Sequence, residues 1–141
     1  MATLTATGSR KVQAGFEPLM SGFIRVPYND IDAIKRIAQE NQNIVAVFLE
    51  PILGEGGIEI PSDDYLPVLR TICVENDWLM MLDEVQTGNG RTGEFFAYQH
   101  FNITPDIVTT AKGLGNGFPI GACMARGVAA SVFRPCLLYT S

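Results

Sequence analysis

The sequence has few cysteines, one histidine and no long apolar run. Its three cysteines, Cys73, Cys123 and Cys136, have no metal-ligand spacing, and their odd number favours reduced thiols over a disulfide framework. No stretch reaches the roughly 20 apolar residues of a transmembrane helix. Residues 1–9 lack the basic segment and apolar core of a secretory signal. These absences predict a cytoplasmic protein without a metal site.

Basic residues are scarce as well. The 141 residues contain 10 Lys and Arg against 15 Asp and Glu, which gives a net charge of −5. Because the basic residues form no patch, neither nucleic acid nor an anionic membrane surface is predicted as a partner. Hydrophobic residues make up 47% of a chain that has the length of one ordinary domain, so a substantial core is possible.

A short apolar run that ends in carboxylates organises the sequence. Residues 78–82 suit a buried strand better than a helix, and Asp83 and Glu84 follow them directly. A desolvated carboxylate is costly unless a cation or several donors meet it. A second apolar run, residues 106–111, leads to Lys112, which is therefore the predicted partner of Asp83.

Several kinds of site could contain this pair. In a pyridoxal-phosphate enzyme, a lysine forms a Schiff base and an aspartate holds the pyridine nitrogen protonated. In a nucleotide hydrolase, a strand ending in Asp-Glu positions magnesium, but that site needs a Gly-x-x-x-x-Gly-Lys-Ser/Thr loop, which does not occur here. The spacing leaves a cofactor site and a purely structural ion pair about equally open.

Predicted helices and strands alternate along the chain. The first half contains a short strand near 23–26, a helix capped by Asn29 or Asp30 that ends near 41–43, and a strand over 44–49 covered on both faces. A helix then runs from 62–64 to about 76, and its inner residues are Leu66, Leu69, Ile72 and Cys73. The strand at 78–82, a short helix from about 94 to 101, the strand leading to Lys112 and a last strand around 120–125 follow. This alternation is typical of a parallel sheet with right-handed crossovers.

Charged residues follow three of these strands. Glu50, Asp83 and Lys112 each stand where a predicted strand ends and a glycine-rich segment begins. Ligands of open parallel sheets bind at the carboxyl ends of the strands. The sequence therefore predicts a binding site at this edge of the sheet.

Several motifs resemble the class III, or ω-amine, family of pyridoxal-phosphate-dependent aminotransferases. They lie at residues 50–57, 82–88, 90–93 and 109–112, while residues 15–18 and 26–30 resemble the branch that acts on acetylornithine and succinylornithine. The resemblance implies an α/β fold, namely part of the large domain of fold-type I pyridoxal-phosphate-dependent transferases, with a mainly parallel sheet flanked by helices.

The resemblance also implies roles for individual residues. Lys112 would form the Schiff base with pyridoxal 5'-phosphate and then move a proton between substrate and cofactor. Asp83 would pair with the pyridine nitrogen, Val85 would pack against the ring and Gln86 would hydrogen-bond the phenolic oxygen. Glu55 would hold a substrate-site arginine while the amine donor is bound. Lys112 is thus the expected catalytic residue, and Glu55 the expected substrate-binding residue.

The implied reaction is transamination between an ω-amine donor, such as N2-acetylornithine, and 2-oxoglutarate in arginine biosynthesis or catabolism. An aminomutase, an ω-amino acid transaminase and a non-catalytic relative are the alternatives. The small-molecule amino donor and 2-oxo acid are the expected partners, and the full-length protein is expected to be a homodimer.

The sequence departs from the family pattern at Leu53, where the family usually has glutamine, and at its ends. Residues 1–135 match part of the cofactor-binding large domain, whereas residues 136–141 do not resemble the segment expected there. Family members have an upstream phosphate-binding loop that this chain lacks. We therefore expect the chain to be the middle of a catalytic domain and to be inactive alone.

Overall fold

The computed structural model describes residues 2–132. The elements, in chain order, are α1 (Ala2–Ala6), α2 (Arg10–Gln13), α3 (Ile31–Glu40), β1 (Ala46–Leu49), α4 (Tyr65–Glu75), β2 (Leu79–Asp83), a first 3₁₀ helix (Ala97–Phe101), β3 (Ile107–Thr110), a second 3₁₀ helix (Lys112–Gly115), β4 (Ala122–Ala125) and α5 (Gly127–Ser131). Cys136 and the predicted tail at 136–141 lie outside the described residues.

The four strands form one sheet in the order β1-β2-β3-β4. The first three strands are parallel, as the alternation of helices and strands predicts, and β4 returns antiparallel to β3. Asp83 is the register partner of Thr109, so the ends of β2 and β3 lie side by side. This register brings residues 26 positions apart to one edge of the sheet.

The two longer helices begin where the sequence predicts. In α3, the side chain of Asp30 accepts a hydrogen bond from the amide of Ala33 at 2.8 Å, which satisfies a free donor of the first turn. Pro67 is the third residue of α4, where its missing amide proton removes no helical hydrogen bond. Both predicted helix starts are confirmed.

The core lies between α4, α3 and one face of the sheet. Its fully buried members are Leu66, Leu69 and Cys73 of α4 with Met80 and Leu82 of β2. The predicted inner face of α4 is confirmed. Burial raises the pKa of the Cys73 thiol to about 11, which keeps this thiol protonated.

Two strand predictions are wrong. Residues 23–26 form no strand because they find no neighbouring chain to pair with in the described part, and Phe23 and Ile24 are exposed. β1 is covered on one face only: Val47 and Leu49 pack against the core, whereas Phe48 is 47% exposed. A continuous apolar run does not reveal how many of its faces are covered.

Within residues 2–132, no helix is long and apolar enough to cross a membrane, and no group of His, Cys, Asp and Glu side chains could hold a metal ion.

Candidate active site

A cavity of about 650 Å³ opens at the carboxyl edge of the three parallel strands. Its walls come from the turn after β1, from residues 85–92 after β2, and from Lys112 and Gly113 after β3. Val85, Gln86 and Lys112, which the sequence predicts as cofactor-binding residues, all line this cavity.

Lys112 is exposed at the cavity and has an unusual backbone conformation. Its φ of 46° lies in the left-handed region that residues other than glycine rarely adopt. Its Nζ donates a hydrogen bond to Oε1 of Gln86 at 3.3 Å. Among the described residues, the ion pairs are Lys35–Asp32, Arg70–Asp106 and Arg126–Asp106, so the purely structural pair of Lys112 with Asp83, which the spacing left open, is not formed.

Neutral donors hold the carboxylate of Asp83 instead. Its Oδ1 accepts hydrogen bonds from the amide of Val85 at 3.0 Å and from the hydroxyl of Thr109 at 3.2 Å. Oδ2 accepts none within residues 2–132. Asp83 is half-buried and does not itself line the cavity. Thr109 could not be singled out from the sequence, because its contact depends on the register of two parallel strands.

The pKa of Glu50 indicates that the charges at this edge interact. Burial and then the nearby Asp83 carboxylate raise the pKa of Glu50 above its ordinary value, while the amide of Gly54 and the Lys112 ammonium oppose the rise. The Gly54 amide donates to Oε2 of Glu50 at 3.2 Å. The three strand-end charges therefore form one electrostatic group, although Asp83 and Lys112 make no direct contact.

After β2 the chain passes from the core to the cavity wall. Glu84 is fully buried, Val85 lines the cavity and Gln86 is exposed at its wall. The Gln86 amide lies against Gly54, where a Cβ would come within 2.6 Å of Oε1. Glycine at position 54 thus allows the Gln86 amide to lie between the two loops.

Glu84 is a structural residue that sequence reasoning left without a role. Its carboxylate accepts hydrogen bonds from the amides of Ala97 and Tyr98, at 3.0 and 2.9 Å, and from the hydroxyl of Thr87. These bonds tie the start of the first 3₁₀ helix to the end of β2. Glu84 therefore anchors the base of the glycine-rich loop that forms one wall of the cavity.

Glu55 lies in the turn between Leu53 and Glu59. The two flanking residues pair by backbone hydrogen bonds of 3.0 and 3.3 Å, so Leu53 meets its local hydrogen-bonding needs without a polar side chain. Glu55 is exposed and forms no ion pair with a described residue. Its substrate-binding role stays a prediction.

Comparison with known families identifies this arrangement. The family described as aminotransferase class-III matches residues 1–137. The chain belongs to this family. Acetylornithine aminotransferase of Nitrosomonas europaea is 61% identical over 135 residues, which are 96% of this chain and 34% of that protein.

Solved structures of aminotransferases have the same fold. Ornithine aminotransferase of Toxoplasma gondii superposes with a TM-score of 0.89 at 33% identity, over 96% of this chain and 32% of that one. An (S)-enantioselective ω-transaminase of Thermomicrobium roseum does so with a TM-score of 0.83 at 33% identity, over 92% and 34%. The predicted fold class is confirmed, and the chain spans about a third of the length of these relatives.

Proposed function

We propose that this chain is the cofactor-binding centre of a pyridoxal-phosphate-dependent aminotransferase that takes the amino group from an ω-amine. The observation that carries the proposal is the amine of Lys112. It faces the strand-end cavity, forms no ion pair within residues 2–132, and follows a strand at the same sheet edge as a carboxylate held by neutral donors. An amine with a purely structural role would be expected to pair with Asp83.

The donor set fits pyridoxal phosphate. Lys112 offers an amine, Gln86 an amide, Val85 an apolar surface, and Asp83 a carboxylate whose Oδ2 accepts no hydrogen bond from the described residues. When bound, the cofactor supplies an aldehyde that condenses with amines and a ring that accepts the electron pair left by deprotonation.

Each residue would contribute a distinct property to that chemistry. Lys112 Nζ would bind the cofactor and afterwards carry the proton at the reacting carbon. Asp83 would accept a hydrogen bond from the protonated ring nitrogen, and its own fixed position follows from Thr109 and the Val85 amide. Val85 would exclude water from one face of the ring, and Gln86 would donate to the phenolic oxygen.

N2-acetylornithine is the amine donor we propose, with 2-oxoglutarate as acceptor, in arginine biosynthesis or catabolism. The similarity to curated acetylornithine aminotransferases supports this choice, with 61% identity to that of Nitrosomonas europaea and 46% to that of Bacillus subtilis. Glu55 would hold the substrate-site arginine. We further propose that the complete enzyme is a homodimer and that these 141 residues alone are inactive.

Chemical trapping tests the proposal. The complete enzyme is loaded with pyridoxal phosphate, reduced with borohydride and digested, and the pyridoxyl label is located by mass spectrometry. We expect the label on Lys112 and its loss in Lys112→Ala, while Lys35→Ala, which removes another exposed lysine, keeps it. A label on a different lysine would overturn the proposal.

A donor screen then separates two candidates. The likeness to the Thermomicrobium roseum ω-transaminase supports transamination of other terminal amines as the second candidate. We expect N2-acetylornithine to give the highest kcat/KM with 2-oxoglutarate. Preference for an amine without an α-carboxylate, or for pyruvate as acceptor, would favour the second candidate.

A further inference from the structure

We propose that Asn89 is a positioning residue that holds the backbone presenting Lys112. Asn89 lies in the glycine-rich loop after β2, whereas Lys112 follows β3. The side chain of Asn89 therefore joins two walls of the same cavity. The inference rests on the proposed function for the role of Lys112, but not for the contacts themselves.

Both hydrogens of one amide group make the connection. Nδ2 of Asn89 donates to the hydroxyl of Thr110 at 2.9 Å and to the carbonyl oxygen of Ala111 at 3.1 Å. Thr110 is only 3% exposed, so its hydroxyl is a fixed acceptor. The two acceptors belong to the last residue of β3 and to the residue immediately before Lys112, and the amide therefore holds the chain where it leaves the sheet.

The geometry around Lys112 explains why such a restraint is needed. Ala111 is extended, with φ −161° and ψ −144°, and Lys112 then turns into the left-handed region at φ 46°. A lysine seldom adopts that conformation unless its surroundings hold it. The Ala111 oxygen also accepts from the amide of Leu114 at 3.0 Å, so the Asn89 amide acts on the first hydrogen bond of the following 3₁₀ helix.

Two local features fit Asn89 to this position. Its own φ of 59° is left-handed, which asparagine tolerates better than most residues. Gly113 allows the close approach, because a Cβ on Gly113 would lie 3.3 Å from the Asn89 Cβ. The loop and the Lys112 turn therefore pack directly against each other, and the hydrogen bonds of the Asn89 side-chain amide join them.

Hydrogen exchange in the cofactor-free complete enzyme tests the restraint without relying on catalysis. Asn89→Gly keeps the left-handed backbone and removes the amide, and we expect exchange at Leu114 to rise about tenfold, because two hydrogen bonds that oppose local opening are lost. Asn102→Gly is the matched control. Asn102 is exposed at φ 51° and its side chain makes no hydrogen bond within residues 2–132. Equal exchange in the two variants would overturn the proposal.

A conservative pair at Thr110 separates the hydrogen bond from general packing. Thr110→Ser keeps the hydroxyl acceptor and should retain most of the Leu114 protection, whereas Thr110→Val keeps the volume and should lose it by several-fold. Protection that follows side-chain volume instead would contradict a role for the Asn89 bond.

The functional consequence is measured on the loaded enzyme. We expect Asn89→Gly to lower kcat about tenfold with little change in KM, since the amine is misplaced while the substrate-binding groups are intact. An unchanged kcat would refute the positioning role. If borohydride labels another lysine, the proposed function fails although the exchange result stands. If exchange is unaffected by Asn89→Gly while Lys112 is labelled, only the positioning role fails.

Discussion

Charged side chains are paired at one end of the parallel sheet and unpaired at the other, among the residues that the structure describes. At the amino end of β3, the Asp106 carboxylate meets the guanidinium of Arg70, lies 3.7 Å from that of Arg126, and accepts the amide of Met80 at 2.9 Å. At the carboxyl end, Glu50, Asp83 and Lys112 interact electrostatically, yet none of them forms an ion pair among the described residues.

The difference teaches how to separate charges that hold the fold from charges that are free to react. Removing one partner of a buried ion pair leaves an uncompensated charge, so such pairs mainly hold the fold. Neutral donors, such as Thr109 and the Val85 amide, fix a carboxylate and leave its charge available. Substitutions at the two ends should therefore alter different properties, and that expectation can be tested.

Lys112→Ala should have the largest effect and should act on catalysis alone. We expect kcat of the complete enzyme to fall by at least about 10⁴-fold, because the amine that carries the proton is lost. The free energy of unfolding should change by less than about 0.5 kcal/mol, since the side chain is exposed. Steady-state kinetics and urea unfolding measure the two quantities. A large loss of stability would remove the distinction between the sheet ends.

Asp106→Ala should show the opposite behaviour. It leaves the largely buried Arg70 guanidinium unpaired and removes the acceptor for the Met80 amide, which should cost about 3 kcal/mol of unfolding free energy. Borohydride labelling of Lys112 should persist in the folded protein. The control is Lys35→Ala, which breaks an exposed ion pair of 3.8 Å and should cost less than about 1 kcal/mol. Equal costs in urea unfolding would show that the Asp106 pairs do not stabilise the sheet.

Glu84→Gln sharpens the comparison within one end of the sheet. Glu84 is adjacent to Asp83 but fully buried, and its carboxylate oxygens accept hydrogen bonds from the amides of Ala97 and Tyr98. Glutamine would place an amide donor against a backbone donor, which should cost about 2 kcal/mol. Urea unfolding measures this loss. Asp83→Asn, the same change one residue earlier, should instead lower kcat with a smaller loss of stability, and the reverse order would contradict our assignment of the two carboxylates.

Glu50→Gln should have the smallest effect and should appear as a change in pH dependence. Burial and the Asp83 carboxylate raise the folded-state pKa of Glu50, so the folded protein binds this proton more tightly than the unfolded chain. Its stability contribution is present below the unfolded-state pKa and is lost as pH rises through the folded-state pKa. Glutamine keeps an acceptor for the Gly54 amide and removes the charge. In thermal unfolding, the stability of Glu50→Gln minus that of the wild type should be larger at pH 7 than at pH 4. A smaller difference at pH 7 would exclude this electrostatic coupling.

Local chemistry made much of the fold predictable. Asp30 caps α3 through a contact within three residues, and Leu66, Leu69, Ile72 and Cys73 face the core at helical spacing. The predictions of a strand at 23–26 and of a covered outer face of β1 were wrong, because the pairing and coverage of a strand depend on distant parts of the chain. Of the four predicted cofactor-binding residues, Lys112, Val85 and Gln86 line one cavity and Asp83 does not.

The sequence alone determined which groups reach the strand ends, because helical and strand periodicities and the motifs around Asp83 and Lys112 are encoded locally. Tertiary structure decided which groups meet there. The register of β2 against β3 gave Asp83 the Thr109 hydroxyl instead of the lysine, and the packing of two loops brought the Asn89 amide to Ala111. Such contacts join residues more than 20 positions apart, and their geometry exists only once the strands have paired and the loops have packed.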